Sequence, residues 1–444
     1  MTAETVTSDG QNPCPSGGVA TALLAYAFAV IMAGTTVPTP MYALYATTFG
    51  FTVLTTTMIY AAYAGGVLAA LVFFGRWSDA IGRRPVLLGG VVAAVASGAM
   101  FLLADTVPAL VAARMLSGLS AGVFTGTATV AIIEAAPPKW RTRAAATATI
   151  ANIGGLGAGS LLAGVLVQYC PAPLQLAFVM HIVLAMAAGL AVVRVPETSA
   201  KTGQLGMQRL RLPVQVRATF ALAAIGTFAG FACMGLFAAL APSFLSTMIG
   251  IANHAAAGAI AGCAFLASAV AQVAAHRIQP RRAMALGCAT LVIGMIALTA
   301  ALVTTSLVGL VVAAIISGAG QGISFSRGLA AVTEATPADR RAEVSSALFV
   351  VAYIAISLPV IGDGLVADHW GLRSAGIGFA VAVGVLAAGC LIALPTRQGK
   401  REARAVAGCT LCRCDRARPH SHHIRARGMP RCHTPTERCA ESHR

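Results

Sequence analysis

The sequence predicts an all-α membrane protein, with twelve transmembrane helices in two pseudo-symmetric six-helix halves. Three observations lead there. First, 57% of the 444 residues are hydrophobic and 10% are charged, against about 25% charged in a soluble domain, and the apolar residues fall in continuous runs. Second, basic residues crowd into alternate loops. Third, the second half of the chain repeats the first. A β-barrel would need alternating segments of ~10 residues, and continuous runs of ~20 residues are the length a helix needs to cross the hydrocarbon core.

The runs cover residues 19–45, 52–74, 86–104, 107–133, 144–168, 174–194, 217–240, 255–275, 283–303, 306–333, 344–366 and 374–395. Residues 1–18 ahead of the first are polar, carry Glu4 and Asp9, and hold no Lys or Arg. No cleavable signal peptide is therefore expected, because such a peptide opens with positive charge. In span 1, Pro38 and Pro40 interrupt the helix just past its midpoint, and Thr35 and Thr36 precede the break. A broken helix frees backbone carbonyls, which is tolerated beside a cavity. Span 2 carries Tyr60 and Tyr63, then runs into the charged stretch GRWSDAIGRRP at 75–85. Span 4 holds Arg114 about seven residues inside its start, ~10 Å along a helix. A charge at that depth is costly and marks a candidate functional residue. Span 5 is rich in small residues and carries Asn152, and span 6 holds a lone His181. Residues 195–216, with Pro196, Gly203, Gly206 and Pro213, read as a linker. Span 7 then offers Phe228 and Phe231, span 10 Gln321, Phe325 and Arg327, and span 11 Tyr353 and Asp363.

Loop charge sets the orientation. Arg76, Arg83, Arg84, Lys139, Arg141 and Arg143 lie in the first two even-numbered loops, and Arg194, Lys201, Arg209, Arg211 and Arg217 in the linker. Arg277, Arg281, Arg282, Arg340 and Arg341 follow in the next two, whereas the odd-numbered loops hold only Arg373. The positive-inside rule then places both termini and the even loops in the cytoplasm. A multi-pass protein of a bacterial inner membrane, working as a monomer, is expected.

The repeat is read by laying 117–146 over 317–346. Ser117, Gly118, Gly122, Glu134, Pro137 and Arg141 fall on Ser317, Gly318, Gly322, Glu334, Pro337 and Arg341, at a constant offset of 200. The halves are therefore 19–194 and 217–395. Parallel six-helix repeats about an axis normal to the membrane are a transporter design.

Gly75, Asp79, Gly82, Arg83 and Arg84 fit the pattern Gly-x-x-x-Asp-x-x-Gly-Arg-Arg/Lys, and this loop between spans 2 and 3 resembles the signature loop of the major facilitator superfamily. Trp77 and Ala80 depart from its usual residues. The two glycines allow a tight turn. Asp79 sits where a carboxylate meets the bare N–H groups of a helix start, that of span 3 or, as the resemblance implies, of span 11. Arg83 and Arg84 can reach a carboxylate at another helix end, with Glu134 the obvious partner. The resemblance makes this cluster a latch that forms in one packing of the halves and breaks in the other. Arg114-Met-Leu-Ser-Gly118 is similar to the superfamily's Arg-x-x-x-Gly motif, which implies proton coupling or a polarised cavity for Arg114. Gly155, Gly159 and Gly164 resemble an antiporter motif in which Ser160 stands for a proline and Ala163 for a glycine. The drug:proton antiporter branch is thereby suggested, and the missing proline counts against it.

Spans 1, 4, 7 and 10 are expected to line a central cavity, with Thr35, Thr36, Tyr60, Asn152, Phe228, Gln321, Arg327 and Tyr353 as the substrate-facing residues. No Asp or Glu lies deep in a span, since Asp363 is ~30 Å by helical rise from Glu343 and so near the outer edge. Coupling candidates are Arg114, Asp363 and His181, the last because imidazole titrates near neutrality. A neutral-to-positive cavity favours neutral amphipaths or organic anions. No nucleophile–base pair or metal cluster faces itself across the spans, so no enzyme, metal site or cofactor is expected. The phosphate-cradling loop of an ATP-driven pump is missing too. The reading is a secondary transporter exporting a small organic solute against protons. Proton-coupled uptake and a non-transporting sensor are its alternatives. The tail, 396–444, is rich in Arg, Cys and His. Its Cys409, Cys412 and Cys414 fit no paired zinc framework, and nucleic-acid binding is not expected of it. A disordered basic segment against anionic lipid, or a shifted reading frame, accounts for its composition.

Overall fold

In the computed structural model, residues 17–201, 203, 205–207, 212–337 and 340–414 are described. Twelve helices are long and apolar enough to cross a membrane. They are α1 (Gly17–Phe49), α2 (Val53–Ala80), α3 (Arg83–Leu103), α4 (Val107–Ala135), α5 (Arg143–Tyr169) and α6 (Leu176–Arg194), then α7 (Val214–Met248), α8 (His254–Arg277), α9 (Pro280–Thr304), α10 (Leu307–Glu334), α11 (Arg341–Trp370) and α12 (Leu372–Leu394). The described residues contain no strand. The Arg-rich loops all fall at one end of the bundle, called here the basic face, and the other loops form the neutral face.

Several helices are irregular where the sequence demands it. The α1 helix is interrupted by a 3₁₀ turn at Thr39–Met41, because Pro38 and Pro40 have no N–H to continue the ladder. Short π-helical stretches occur at Ala70–Phe74 in α2, Ile150–Gly154 in α5 and Phe244–Met248 in α7. Such bulges are frequent at functional sites, and hydropathy carries no trace of them.

The repeat is built into the packing. A Cβ on Gly118 would strike the Tyr63 carbonyl of α2, and one on Gly122 would meet Ala70 and the Val67 carbonyl. In the other half, Gly318 and Gly322 stand in the same way against the carbonyls of Ala264 and Ser268 in α8. The equivalent glycine pairs thus bring α4 onto α2 and α10 onto α8, backbone to backbone. The halves meet along two seams, α2 with α11 and α5 with α8. On the first, Tyr63 and Tyr353 pack edge to face at 6.3 Å, and Gly364 presses on Thr57. On the second, Ser160 donates to the Gly258 carbonyl at 3.1 Å and Gly164 backs onto His254 and Gly258.

A separate unit begins at Pro395, and its backbone is helical through Cys414. The sequence predicts no regular structure there, but Arg, Lys, Glu and Ala between 397 and 407 are all good helix formers. The His-rich remainder, 415–444, lies outside the described residues.

Placing a leucine at Gly318 forces α10 away from α8, and overpacking of this kind costs about 1–3 kcal/mol. Thermal unfolding of purified Gly318→Leu in detergent is expected to show a clearly lowered midpoint, and a wild-type midpoint would contradict the close-approach geometry.

Candidate functional site

At the basic face, the signature loop is the hub of a polar network. Gly82 has φ +114°, a conformation L side chains rarely adopt, and it stands just ahead of α3, so no side chain of its own can cap the helix. The carboxylate that does so belongs to Glu197 in the linker. Its Oε1 accepts from the backbone N–H of Arg83 at 2.8 Å and its Oε2 from that of Arg84 at 3.1 Å. The Ser199 N–H adds a third bond at 3.0 Å. Asp79, expected at a helix start, instead accepts from the Arg83 side chain. The reason is positional: it precedes Arg83 by four residues, within reach of the guanidinium. Gly75 has an ordinary helical φ of −56°, so Gly82 alone supplies the turn.

Arg83 also donates from Nη2 and Nε to Glu134 at 3.1 and 3.3 Å, and from Nη1 to Ser78 at 2.7 Å. Its side chain is only 11% exposed and that of Glu134 34%, so solvent screens the pair only in part. Thr198 of the linker donates to Glu134 at 2.9 Å, and the Gly203 N–H to the Asp79 carbonyl at 3.1 Å. Residues 197–203 thus strap the loop between α2 and α3. Partial burial pushes the Glu197 carboxyl up, but the N–H groups of Ser199, Arg83, Arg84 and Thr198 outweigh it and hold the carboxyl below its ordinary value.

Between the halves lies a closed chamber of about 50 Å³. Thr35, Thr36, Tyr60, Asn152, Gln321 and Tyr353 line it as expected, together with Arg114, Tyr63, Thr125, Phe231, Phe265, Phe325 and Phe349. The π-helical turn of α5 presents Asn152 and Ile153 to it. Arg114 is 1% exposed and so does not snorkel to an interface. Its Nη1 donates to the Thr35 carbonyl at 2.6 Å, beside the break in α1. The guanidinium lies 4.9 Å from the Tyr63 ring centroid and 5.6 Å from that of Tyr60, within cation–π range. On the C-terminal side, Ser268 donates to Gln321 Oε1 at 2.6 Å.

Two expected cavity residues lie elsewhere. Phe228 sits one turn nearer the basic face than Phe231, which fills the wall with Met234. Arg327 is two residues beyond Phe325, which swings it about 200° around α10. It is not among the lining residues and its Nε has no hydrogen-bond partner.

Three hydrogen bonds stitch the halves together towards the neutral face. One is the Ser160 contact already described. The His254 N–H donates to Gln168 Oε1 at 2.8 Å, and His254 Nδ1 lies 3.1 Å from the Pro40 carbonyl freed by the α1 break. Gly155 and Gly159 face inward within their own half, against Ala29 and Ala33 of α1, while Ser160 and Gly164 face α8. His181 is buried over Gly34, where any side chain would collide with its ring. It borders a lipid-side groove of about 540 Å³ between α1, α5 and α6, not the chamber. Asp363 is 5% exposed, with Oδ2 unpartnered, beside the Gly364–Thr57 contact. It is more enclosed than helical rise alone predicts, because α2 covers this part of α11. No cluster of three or more metal-ligating side chains occurs among the described residues.

Substituting Glu197→Ala uncaps α3, and amide hydrogen exchange at Arg83 and Arg84 is expected to accelerate by about tenfold, the equivalent of one hydrogen bond. Because the folded carboxyl is held below its unfolded value, the cap is fully present above the ordinary glutamate range. It is lost as the pH falls through the depressed value. Exchange measured at neutral and acid pH, corrected for intrinsic rates, checks both points.

No curated protein matches the chain. Among solved structures it is similar to a bacterial homologue of the human lysosomal transporter Spinster, in an inward-facing and unoccupied conformation, with TM-score 0.67 and 16% identity over 87% of this chain and 98% of that one. It is similar to a D-xylose–proton symporter, with TM-score 0.63 and 16% identity over 82% and 97%. The human organic anion transporter MFSD10 (TETRAN) aligns with TM-score 0.60 and 15% identity over 85% and 100%. At such identities these likenesses speak for the fold. The family model described as Major Facilitator Superfamily matches residues 24–360 and 252–408. With twelve helices, a doubled six-helix unit and a charged loop after α2, the chain belongs to the major facilitator superfamily, a transporter and not an enzyme.

Proposed function

We propose that this protein carries a small organic solute across a bacterial inner membrane by alternating access, exporting it in exchange for protons. The observation that carries the reading is the chamber. It lies where two equivalent six-helix units meet, and the bonds that close it off from the neutral face join one unit to the other. Rocking the units would break those contacts and open the chamber on that side. The basic loops support a cytoplasmic basic face, with both termini on the same side and the chain acting as a monomer.

In this reading, Gly75, Asp79, Gly82, Arg83, Arg84 and Glu134 form the cytoplasmic latch, with Glu197 its seventh member. In this conformation its contacts lie within the N-terminal half and the linker, and a partner on the other half would be met in the alternate packing. Arg114 polarises the chamber. Asp363, an enclosed acid on the α2–α11 seam, is the favoured proton-binding group, with His181 second. Phe228 and Arg327 flank the solute's path on the cytoplasmic side of the chamber. Proton-coupled uptake is the second reading. Ser160 favours it: this residue bonds α8 where the antiporter motif has a kinking proline.

Proteoliposomes carrying an imposed pH gradient, tested with panels of drugs, sugars and organic acids, separate the two by the direction in which the gradient drives solute. Arg83→Gln is expected to lower turnover by about tenfold, within the range of a coupling energy of 1–3 kcal/mol, while leaving equilibrium solute binding unchanged. Asp363→Asn is expected to abolish solute-dependent proton flux. Gradient-driven transport that survives Asp363→Asn intact would remove the proposed proton site.

A further inference from the structure

Arg114 is the only charged residue lining the chamber among the described residues, and no carboxylate lines it. A guanidinium taken out of water without a counter-ion is costly. Here part of that cost is met by the Thr35 carbonyl and by the faces of Tyr60 and Tyr63. The rest is not. Nη1 makes the residue's one hydrogen bond among the described residues, and Nε is buried without a partner. The opposite edge of the fork, Nε with Nη2, is therefore free, and that edge matches the two oxygens of a carboxylate.

We propose that the transported solute is an organic monocarboxylate with an apolar or aromatic body, held through its carboxylate by the Nε–Nη2 edge of Arg114. This rests on the transporter reading and names its substrate class. The charge count limits the ligand to one negative charge, since a dianion would leave a second charge uncompensated in a low-dielectric site. The buried Thr125 hydroxyl and the Asn152 amide are further donors on the same wall. The other half offers a different chemistry. The position equivalent to Arg114 is Ala314, and the C-terminal half contributes Phe231, Phe265, Phe325 and Phe349. A solute would place its charged end on the N-terminal half and its body on the C-terminal half, bridging the two surfaces that must move together. The chamber in this closed form is carboxylate-sized, so the body is admitted as the halves part.

The test is equilibrium binding to the purified full-length protein in nanodiscs. The probes are matched series sharing one body: phenylacetate, phenylacetamide and phenethylamine, then octanoate, octanamide and octylamine, with a phenyl-substituted dicarboxylate as the dianion. Carboxylates are expected to bind at least about tenfold tighter than their amides, since a site built for a polar group rejects the analogue lacking it. Amines and the dianion are expected to bind more weakly still. Arg114→Gln should erase the discrimination. Arg114→Lys should keep a preference for negative charge while losing affinity, because ammonium lacks the fork. Thr125→Val, which leaves the arginine in place, is expected to weaken carboxylates alone. Equal binding of acid and amide by the wild-type protein, or no carboxylate-dependent binding in either series, would overturn the proposal whether or not the Arg114 variants fold. Carboxylate binding without transport would keep the Arg114 carboxylate site and sink the transporter reading on which its role as a solute site rests.

Discussion

Apolar side chains gain nothing by turning from lipid towards one another, so a bundle in a bilayer is held by how closely its backbones approach. That constraint organises this molecule. The paired glycines of α4 and α10 let each lie against its neighbour's carbonyls in the same way. The seams between halves use the same device, with Gly164 and Gly258 on one side and Gly364 on the other. Close backbone approach within each half and along both seams joins the two halves into one compact unit ending at Leu394.

Symmetry holds for the scaffold and fails for the chemistry. Gly118 and Gly122 have working counterparts 200 residues on, but Arg114 is matched by Ala314, and Arg327 by Thr127. Likewise Glu134 receives Arg83, whereas its counterpart Glu334 forms no ion pair among the described residues and is exposed. Duplication supplied the scaffold. Divergence placed charge on one side of the chamber and aromatic rings on the other.

The spans, the repeat and the polar network of the charged loop were legible because each leaves a local mark: a run of apolar residues, a constant offset, charges flanked by glycines. Arg83 and Glu134 were readable as partners because both stand at helix ends on one face. Glu197 was not. It lies in a linker without periodicity and reaches a helix start more than a hundred residues earlier, a contact that only the folded path of the chain creates. The wall of the chamber was read to within a turn: Phe231 and Phe325, mid-span candidates passed over for Phe228 and Arg327, are the ones that line it. The π-helical turn at Ile150–Gly154 in α5 was not legible either. A residue added to one turn rotates everything beyond it, and no hydropathy pattern records the addition.

The strap over the signature loop has a mechanical corollary. The polypeptide joining the two halves is fastened to the first of them as far as Gly203, and the second begins with the turn at Val214. Eleven peptide units remain, which pull out to at most about 35–40 Å. A leash of that reach bounds how far the two halves could part at the basic face. Deleting a few residues from it would tighten that bound without touching any group that lines the chamber.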